Sequence, residues 1–388
     1  METPTHNRIP RVLYLHPTGA GLGGAESSLY ELVTYLAAHA QAEPVVGLPD
    51  GSLKQKLEAA GITCVKVPMR PLSKSLSPWA LWRMGRALTQ TRAQLRYIMD
   101  TECFDLIHTN TDQAMFYAVA AGCAHRIPIF WHCRDLARLG LFGRWLATGT
   151  DRIIAISNTV AAHIRHYVDN ESKLVTVPNG VRIAYMAEQT RFEAPPELHN
   201  LPPDTYVVGM IGQYVKWKNH AAFLRAAARI HRRIPKALFV ILGTCRTRSA
   251  QRYQQSLKSL AAKLGIRDRV IFAEPVSDIR PFLHHLDCMV HPTGQEPFGR
   301  VIIEAMAAGR PVVALDQAGP GEIITHGTDG LLVPDDSPEK LANEVIRLHD
   351  SPALAKRLGD NAAGTAKRRF DISRAAAQIA ALYREWGG

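Results

Sequence analysis

Two carboxylates eight positions apart, Glu296 and Glu304, flank a segment whose other residues suit an anion. Pro297-Phe298-Gly299 leads into the helical pattern Arg300-Val301-Ile302-Ile303-Glu304, so Gly299 stands where a ligand can come close to the backbone. A helix that starts there offers unpaired N–H groups and the positive end of its dipole, and both favour a diphosphate. Glu296, just before the helix, can accept hydrogen bonds from sugar hydroxyls. Glu304, about one turn inside, can take the two hydroxyls of a ribose, as acidic residues do in dinucleotide folds. Arg300 in the first turn opposes the helix dipole; its charge either reaches the diphosphate or is solvated at the surface.

Other residues could join this chemistry. Lys218 follows an apolar run that ends near Gly212, and a lysine is a mobile point charge able to follow negative charge onto a leaving phosphate. Gln213 can donate a hydrogen bond there but cannot neutralise. His132 ends the apolar run 129–132 and is followed by Cys133-Arg134-Asp135. A lone histidine in that position is more often a satisfied structural residue than a ligand contact. His16 and His108 also end strands and read as loop or packing residues. Gly19-x-Gly21-x-x-Gly24 satisfies the dinucleotide fingerprint, with Asp50 as a candidate ribose acid. The first 50 residues therefore admit a nicotinamide dehydrogenase or a purely structural turn. No Asp-x-Asp and no cluster of His and Cys lies near the donor segment, so no metal is expected.

The elements that must position these residues alternate between strand and helix. The first half carries strand patterns at 11–16, 44–48, 64–67, 106–108, 128–132, 152–156 and 174–177, with a helix at 25–38 and helical stretches between most of the others. Four prolines and weak periodicity at 182–204 mark a linker. A second series follows, with strands at 206–211, 237–242, 269–273, 288–291, 311–314 and 330–333, and helices at 219–233, 249–264, 278–285, 299–308, 338–350 and 352–370. The expected class is α/β, with two Rossmann-like domains facing across a cleft. The expected division is 1–185, a linker at 186–204, 205–370, and a helix at 371–388 that crosses back to the first domain. That last helix carries Ile379, Leu382 and Tyr383 on one face.

Length agrees with two domains, since 388 residues exceed one ordinary core. The first ten residues are polar, and no segment offers the roughly 18 apolar residues of a membrane span. A cytoplasmic location is expected. Six cysteines without a Cys-x-x-Cys pair indicate reduced thiols rather than zinc or redox chemistry. A net charge of +11 favours anionic partners. The stretch 72–99 concentrates it: Lys74, Arg83, Arg86, Arg92 and Arg96 stand among Trp79, Leu81, Trp82, Leu88 and Leu95, with no acid. This is a basic amphipathic helix for an anionic membrane face, or a solvated helix with its leucines in the core, or a pocket for an anionic acceptor. It lacks the stacking platform or fold of a nucleic-acid binder.

The two glutamates, the Phe298-Gly299 between them and the run Ala305-Met306-Ala307-Ala308-Gly309-Arg310-Pro311-Val312-Val313-Ala314 resemble the donor signature of the family 4 retaining glycosyltransferases. The resemblance extends to Gly23-Gly24-Ala25-Glu26, Ala155-Ile156-Ser157, Val177-Pro178-Asn179-Gly180-Val181, 212–218, Leu242-Gly243 and Gly319-Pro320-Gly321-Glu322. It implies the GT-B fold and transfer of a sugar from a nucleotide-diphosphate sugar to a hydroxyl acceptor with retention, giving an α-linkage, without a cofactor. It also implies that Glu296 meets the donor sugar, Glu304 the ribose and Lys218 the diphosphate. His132 would lie near the donor sugar, and Gly23 and Gly24 would let their loop close on the leaving phosphate. Pro297, Phe298, Gly299, Arg300 and Val301 would complete the donor site. The nucleobase would use backbone near Glu274-Pro275-Val276, and Arg134 and Asp135 would face the acceptor. Gln213 stands where many members carry arginine, which leaves one cation missing. An epimerase of the same architecture, or a silent sugar-nucleotide-binding subunit, is the alternative.

Overall fold

The computed structural model describes residues 8–386 apart from 22, 72–76, 124–125, 189–191, 194, 200, 246, 275 and 277. Two compact units share the chain: Met1–Gly180 with Ile372–Gly388, and Val181–Asp371. The stretch expected as a linker, 186–204, thus counts with the second unit, where Leu198 is buried.

The first unit is a seven-stranded parallel sheet of β1 (Arg11–Leu15), β2 (Glu43–Leu48), β3 (Thr63–Lys66), β4 (Leu106–Thr109), β5 (Ile129–Cys133), β6 (Arg152–Ala155) and β7 (Leu174–Thr176). Its order is β3-β2-β1-β4-β5-β6-β7. Helices α1 (Gly24–Ala38), α2 (Ser52–Ala59), α3 (Pro78–Thr101), α4 (Asp112–Ala120), α5 (Gly140–Thr148) and α6 (Asn158–Ile164) make the crossovers. Strands covered on both faces need no polar side, and β1, β4 and β5 are almost wholly buried. Polar caps start the helices that follow β4 and β6: Thr111 Oγ1 accepts from Ala114 N at 3.2 Å and Ser157 Oγ from Val160 N at 3.0 Å.

The second unit begins with α7 (Ile183–Met186). It repeats the plan with β8 (Tyr206–Ile211), α8 (His220–Arg233), β9 (Ala237–Leu242), α9 (Arg248–Lys263), β10 (Val270–Ala273), α10 (Arg280–His284), β11 (Cys288–His291), α11 (Arg300–Ala307), β12 (Val312–Leu315), α12 (Ala318–Ile323), β13 (Leu331–Val333), α13 (Pro338–Asp350) and α14 (Pro352–Phe370). Its parallel order is β10-β9-β8-β11-β12-β13. Val181 N donates to Phe370 O at 2.9 Å, so the unit's two chain ends are tied together. The last helix, α15 (Ile372–Arg384), belongs to the first unit, packing on α1 with Ile379 and Tyr383 in the core.

The strand order reverses between β1 and β4 in the first unit and between β8 and β11 in the second. Ligands of doubly wound sheets bind outside the carboxyl ends of the strands at such points. Each unit therefore carries its own candidate crevice.

Candidate active site

In the second unit, β8 and β11 deliver the two halves of a charged cluster. After β8 the chain runs through Gly212 and Gln213, makes a short turn at Lys216–Lys218 and passes Asn219 at φ 58° before α8. Asparagine is among the few residues that tolerate that conformation. After β11, Thr293 and Gly294 lead to Glu296 and then to Gly299, whose φ of 107° turns the chain into α11.

Lys218 Nζ forms an ion pair with Glu296 Oε2, and His291 Nε2 lies 3.2 Å from the same oxygen. Burial would raise the Glu296 carboxyl, but the His291 hydrogen bond and the Lys218 charge outweigh it and hold the group at about 2. Glu296 is thus a buried acceptor that stays ionised at neutral pH, suited to positioning hydroxyls and not to taking a proton. Burial depresses His291, against the pull of Glu296. The ring plane of Trp217 lies under Lys218 Nζ, 4.4 Å from its centroid.

One turn into α11, Arg300 Nε donates to Glu304 Oε1 at 2.7 Å. The two side chains are only 10% and 9% exposed, so Arg300 is not a solvated surface arginine. Its partner is the carboxylate that the resemblance assigns to the ribose, a contact that the i,i+4 spacing permits but does not dictate. Gln213 is exposed, Pro297 and Val301 are half-buried, and Phe298 is buried edge-to-face on Phe370. A Cβ on Gly319 would sit 2.2 Å from Phe298 O, and Gly319 N donates to Glu296 O at 3.0 Å. The first turn of α12, at Gly319-Pro320-Gly321, therefore braces the glutamate loop, a job only glycine can do at position 319.

A cavity of about 280 Å³ opens at the ends of β9 and β10, lined by Leu198, Val240, Leu242, Glu274, Val276 and Phe282 among others. Val276 thus stands at a concave apolar surface; Pro275 lies outside the described residues. Along the sheet the order is cavity at β10 and β9, Lys218 after β8, Glu296 after β11.

The first unit's crevice is built differently. His132 is buried, and Arg134 Nη2 donates to its Nδ1 at 3.3 Å. The remaining guanidinium nitrogens, Nε and Nη1, donate to Asn110 Oδ1 and Asn179 Oδ1 at 3.0 and 2.7 Å. Arg134, expected on the acceptor side, is thus a buried brace that joins the ends of β4 and β5 to the Pro178-Asn179-Gly180 turn; Asp135 is exposed. Asn110 Nδ2 donates to Ala25 O at 3.1 Å, which fixes the Gly23-Gly24 entry of α1. His108, read as a packing residue, lies between His132 and Tyr383 in a hydrogen-bonded chain. Burial, then the Arg134 charge, lowers both histidines, His108 to about 3.

The dinucleotide reading of the early glycines meets a specific obstacle. A Cβ at Gly19 would lie 2.4 Å from Pro49 O, and Gly19 O accepts from Leu53 N at 2.9 Å. A Cβ at Gly21, the fingerprint glycine that a pyrophosphate would approach, would likewise lie 3.2 Å from Leu53 N, so protein backbone stands on that side too. Asp50 is paired with Lys54 and Lys66.

Of the residues in 72–99, Lys74 and Leu72 lie outside those described. Trp79 and Trp82 stack on one another, ring centroids 4.9 Å apart, and are 63% and 52% exposed. Leu95 enters the core; Leu81 does not, being 44% exposed, so the first turns of α3 present apolar rings beside exposed Arg83 and Arg86. No helix among the described residues is long and apolar enough to cross a membrane, and none of their His, Cys, Asp and Glu side chains form a group of three placed to hold a metal.

Known proteins resemble this chain along most of its length. The model of the glycosyl transferases group 1 matches residues 192–365, and that of glycosyltransferase family 4 matches residues 22–185. The chain is 28% identical over 351 residues to the lipopolysaccharide core biosynthesis glycosyltransferase LpsD of Rhizobium meliloti, covering 90% of this chain and 91% of that protein. It is 31% identical over 241 residues to a D-inositol 3-phosphate glycosyltransferase of Streptomyces bingchenggensis, 61% of this chain and about half, 53%, of that one. Among solved structures, Anabaena HepE in complex with UDP-glucose superposes with a TM-score of 0.80 at 24% identity, covering 97% of this chain and 100% of that one. Sucrose-phosphate synthase of Thermosynechococcus elongatus gives 0.78 at 20%, with 97% and 98% covered.

Proposed function

Because this chain belongs to the family 4 glycosyltransferases and has the two Rossmann-like units of their GT-B fold, we propose that it is a retaining enzyme that moves a sugar from a nucleotide-diphosphate sugar to an acceptor hydroxyl, leaving an α-linkage. The observation that carries the reading is Glu296, held ionised by Lys218 and His291 just ahead of the α11 N-terminus.

The order of loops along the second sheet supports a donor laid out in the same order. The base takes the cavity beside Val276, the diphosphate takes Lys218 and the N–H groups that open α11, and the sugar hydroxyls meet Glu296. Glu304, fixed by Arg300, takes the ribose. His132 keeps the role near the donor sugar that the resemblance gives it. The acceptor oxygen forms its bond to the anomeric carbon on the face from which the phosphate oxygen departs. The acceptor's proton passes to that departing oxygen, so no protein base is needed and Glu296 positions the sugar. Lys218 and the helix N-terminus do the work of a metal ion, and a chelator leaves turnover unchanged.

The named activities of the relatives suggest a glycan, glycolipid or polyol acceptor. The exposed tryptophans and arginines of α3 suit the anionic cytoplasmic face of a membrane, where a lipid-linked acceptor is presented. A thermal-shift screen of UDP, GDP, ADP and their sugars, followed by turnover with and without acceptor, tests the assignment. Stabilisation by one nucleotide series and acceptor-dependent release of its diphosphate are expected. No shift across the panel, or a modified free sugar released without acceptor, would sink it.

A further inference from the structure

The first unit contains a hydrogen-bonded chain whose direction can be read from one residue. Tyr14 Oη and Tyr383 Oη are 2.6 Å apart, Tyr383 Oη and His108 Nδ1 2.7 Å, and His108 Nε2 and His132 Nδ1 3.0 Å. All four side chains are buried. Hydroxyls and imidazoles can each donate or accept, so the chain alone has two possible directions. Arg134 removes the choice. A guanidinium only donates, and its Nη2 is 3.3 Å from His132 Nδ1. That nitrogen must therefore carry a lone pair, and the single proton of a neutral ring must sit on Nε2.

The consequence propagates outward. His108 Nε2 must donate to the same His132 Nδ1 lone pair, shared with Arg134 as a three-centre bond, so His108 Nδ1 accepts. Tyr383 then donates to His108 and accepts from Tyr14. Every member has its partner except the last, because His132 Nε2 is buried with no hydrogen-bond partner among the described residues. His132 lines a cavity of only about 10 Å³ with Ser28, Asn179 and Ile379, room for at most one water.

From this geometry we infer that His132 is locked as the Nε2–H tautomer, a hydrogen-bond donor that has no lone pair to act as a base at Nε2, and that Arg134 sets this tautomer while His108 and Tyr383 are the positioning residues that fix the ring's orientation. The partner for that N–H is an acceptor oxygen, from a trapped water or from a hydroxyl of the bound sugar. The sugar arm rests on the proposed function; the tautomer does not.

Long-range proton–nitrogen NMR of the histidine rings in the full chain reads the tautomer without any variant. His132 is expected to show a protonated Nε2 and an unprotonated Nδ1. A protonated Nδ1 overturns the proposal, whatever the enzyme's activity. Tyr383→Phe deletes the donor to His108 Nδ1 and keeps the ring. With Arg134 in place the His132 tautomer should be kept, and the loosened ring should lower kcat about tenfold with little change in donor KM. His108→Gln, whose amide can both accept from Tyr383 and donate to His132, should retain more activity than His108→Leu. Unaltered kcat in Tyr383→Phe would remove Tyr383 from the role, and mixed His132 tautomers there would remove Arg134 from setting the direction. Addition of the nucleotide sugar separates the two oxygen sources: a shift of the His132 Nε2 proton signal identifies the sugar, and an unchanged signal identifies water. A protein that shows the expected tautomer but turns over no nucleotide sugar refutes the proposed function and leaves this inference standing.

Discussion

The two switch-point crevices share one architecture and use opposite electrostatics. At β8 and β11 the second unit sets a lysine against a carboxylate and braces them with a histidine. At β1, β4 and β5 the first unit links imidazoles, amides and phenols through Arg134. A charged cluster stabilises charge that develops on a leaving group, whereas a chain of neutral groups fixes direction and geometry. The same fold thus supplies a binding site for an anion in one copy and a rigid presentation of one N–H in the other.

Lys218→Met tests the sharpest side of that contrast. It removes the cation and strands Glu296, whose side chain is only 11% exposed. A loss of about 100- to 1,000-fold in kcat is expected, with a stability cost of about 3 to 5 kcal/mol for the broken buried pair. Steady-state kinetics and thermal melts measure both. A kcat change under tenfold would remove Lys218 from the diphosphate.

The pH response of stability comes next. Glu296 is depressed from 4.5 to about 2, so its contribution is full above pH 4.5 and is lost as pH falls toward 2. That contribution is on the order of 3 kcal/mol. Denaturant titrations between pH 6 and 3 should show a steeper decline for the wild type than for Glu296→Gln; parallel curves would contradict the ion-pair account.

His132→Phe should cost less than the lysine, about tenfold in kcat/KM, the order of one neutral hydrogen bond. A loss equal to that of Lys218→Met would erase the distinction between the crevices. Arg300→Leu should raise donor KM about three- to fivefold, acting through Glu304. Combined with Glu304→Gln it should add nothing, because the two residues form one unit. Kinetics within twofold of wild type would exclude both residues from the donor site. The smallest effect concerns α3: vesicles with anionic lipid should float the protein and neutral vesicles should not, and Trp79→Ser with Trp82→Ser should reduce flotation several-fold. Flotation with neither lipid ends the membrane reading.

Much of this was legible in the sequence because it depends on local pattern. Runs such as Ala237–Leu242, six apolar residues between Pro235-Lys236 and Gly243, are too short for a helix and read as buried strands, and the glutamates announce themselves by spacing to a helix start. What could not be read is what tertiary contact decides. Arg300 meets Glu304 at i,i+4, a pairing the sequence offers but does not require. His291, at the end of its strand five residues before Glu296, gave a weak signal and proved to touch the carboxylate. Tyr383 and His108 can each be placed, one on the last helix and one at a strand end, but nothing pairs them across 275 positions. Leu81 misled by period: its spacing with Leu88 and Leu95 suggested a continuous core face, but the first turns of α3 lie outside the core.

The placement of α15 has a consequence for synthesis. The first unit's core includes Ala376, Ile379 and Tyr383, so the amino-terminal sheet emerges from the ribosome long before the helix that completes it. The second unit, contiguous from Val181 to Asp371, has all its residues first. Vectorial folding here runs against chain order: the later-made unit can close while the earlier-made one waits, its Tyr14 without the phenol that it must eventually meet 369 residues downstream.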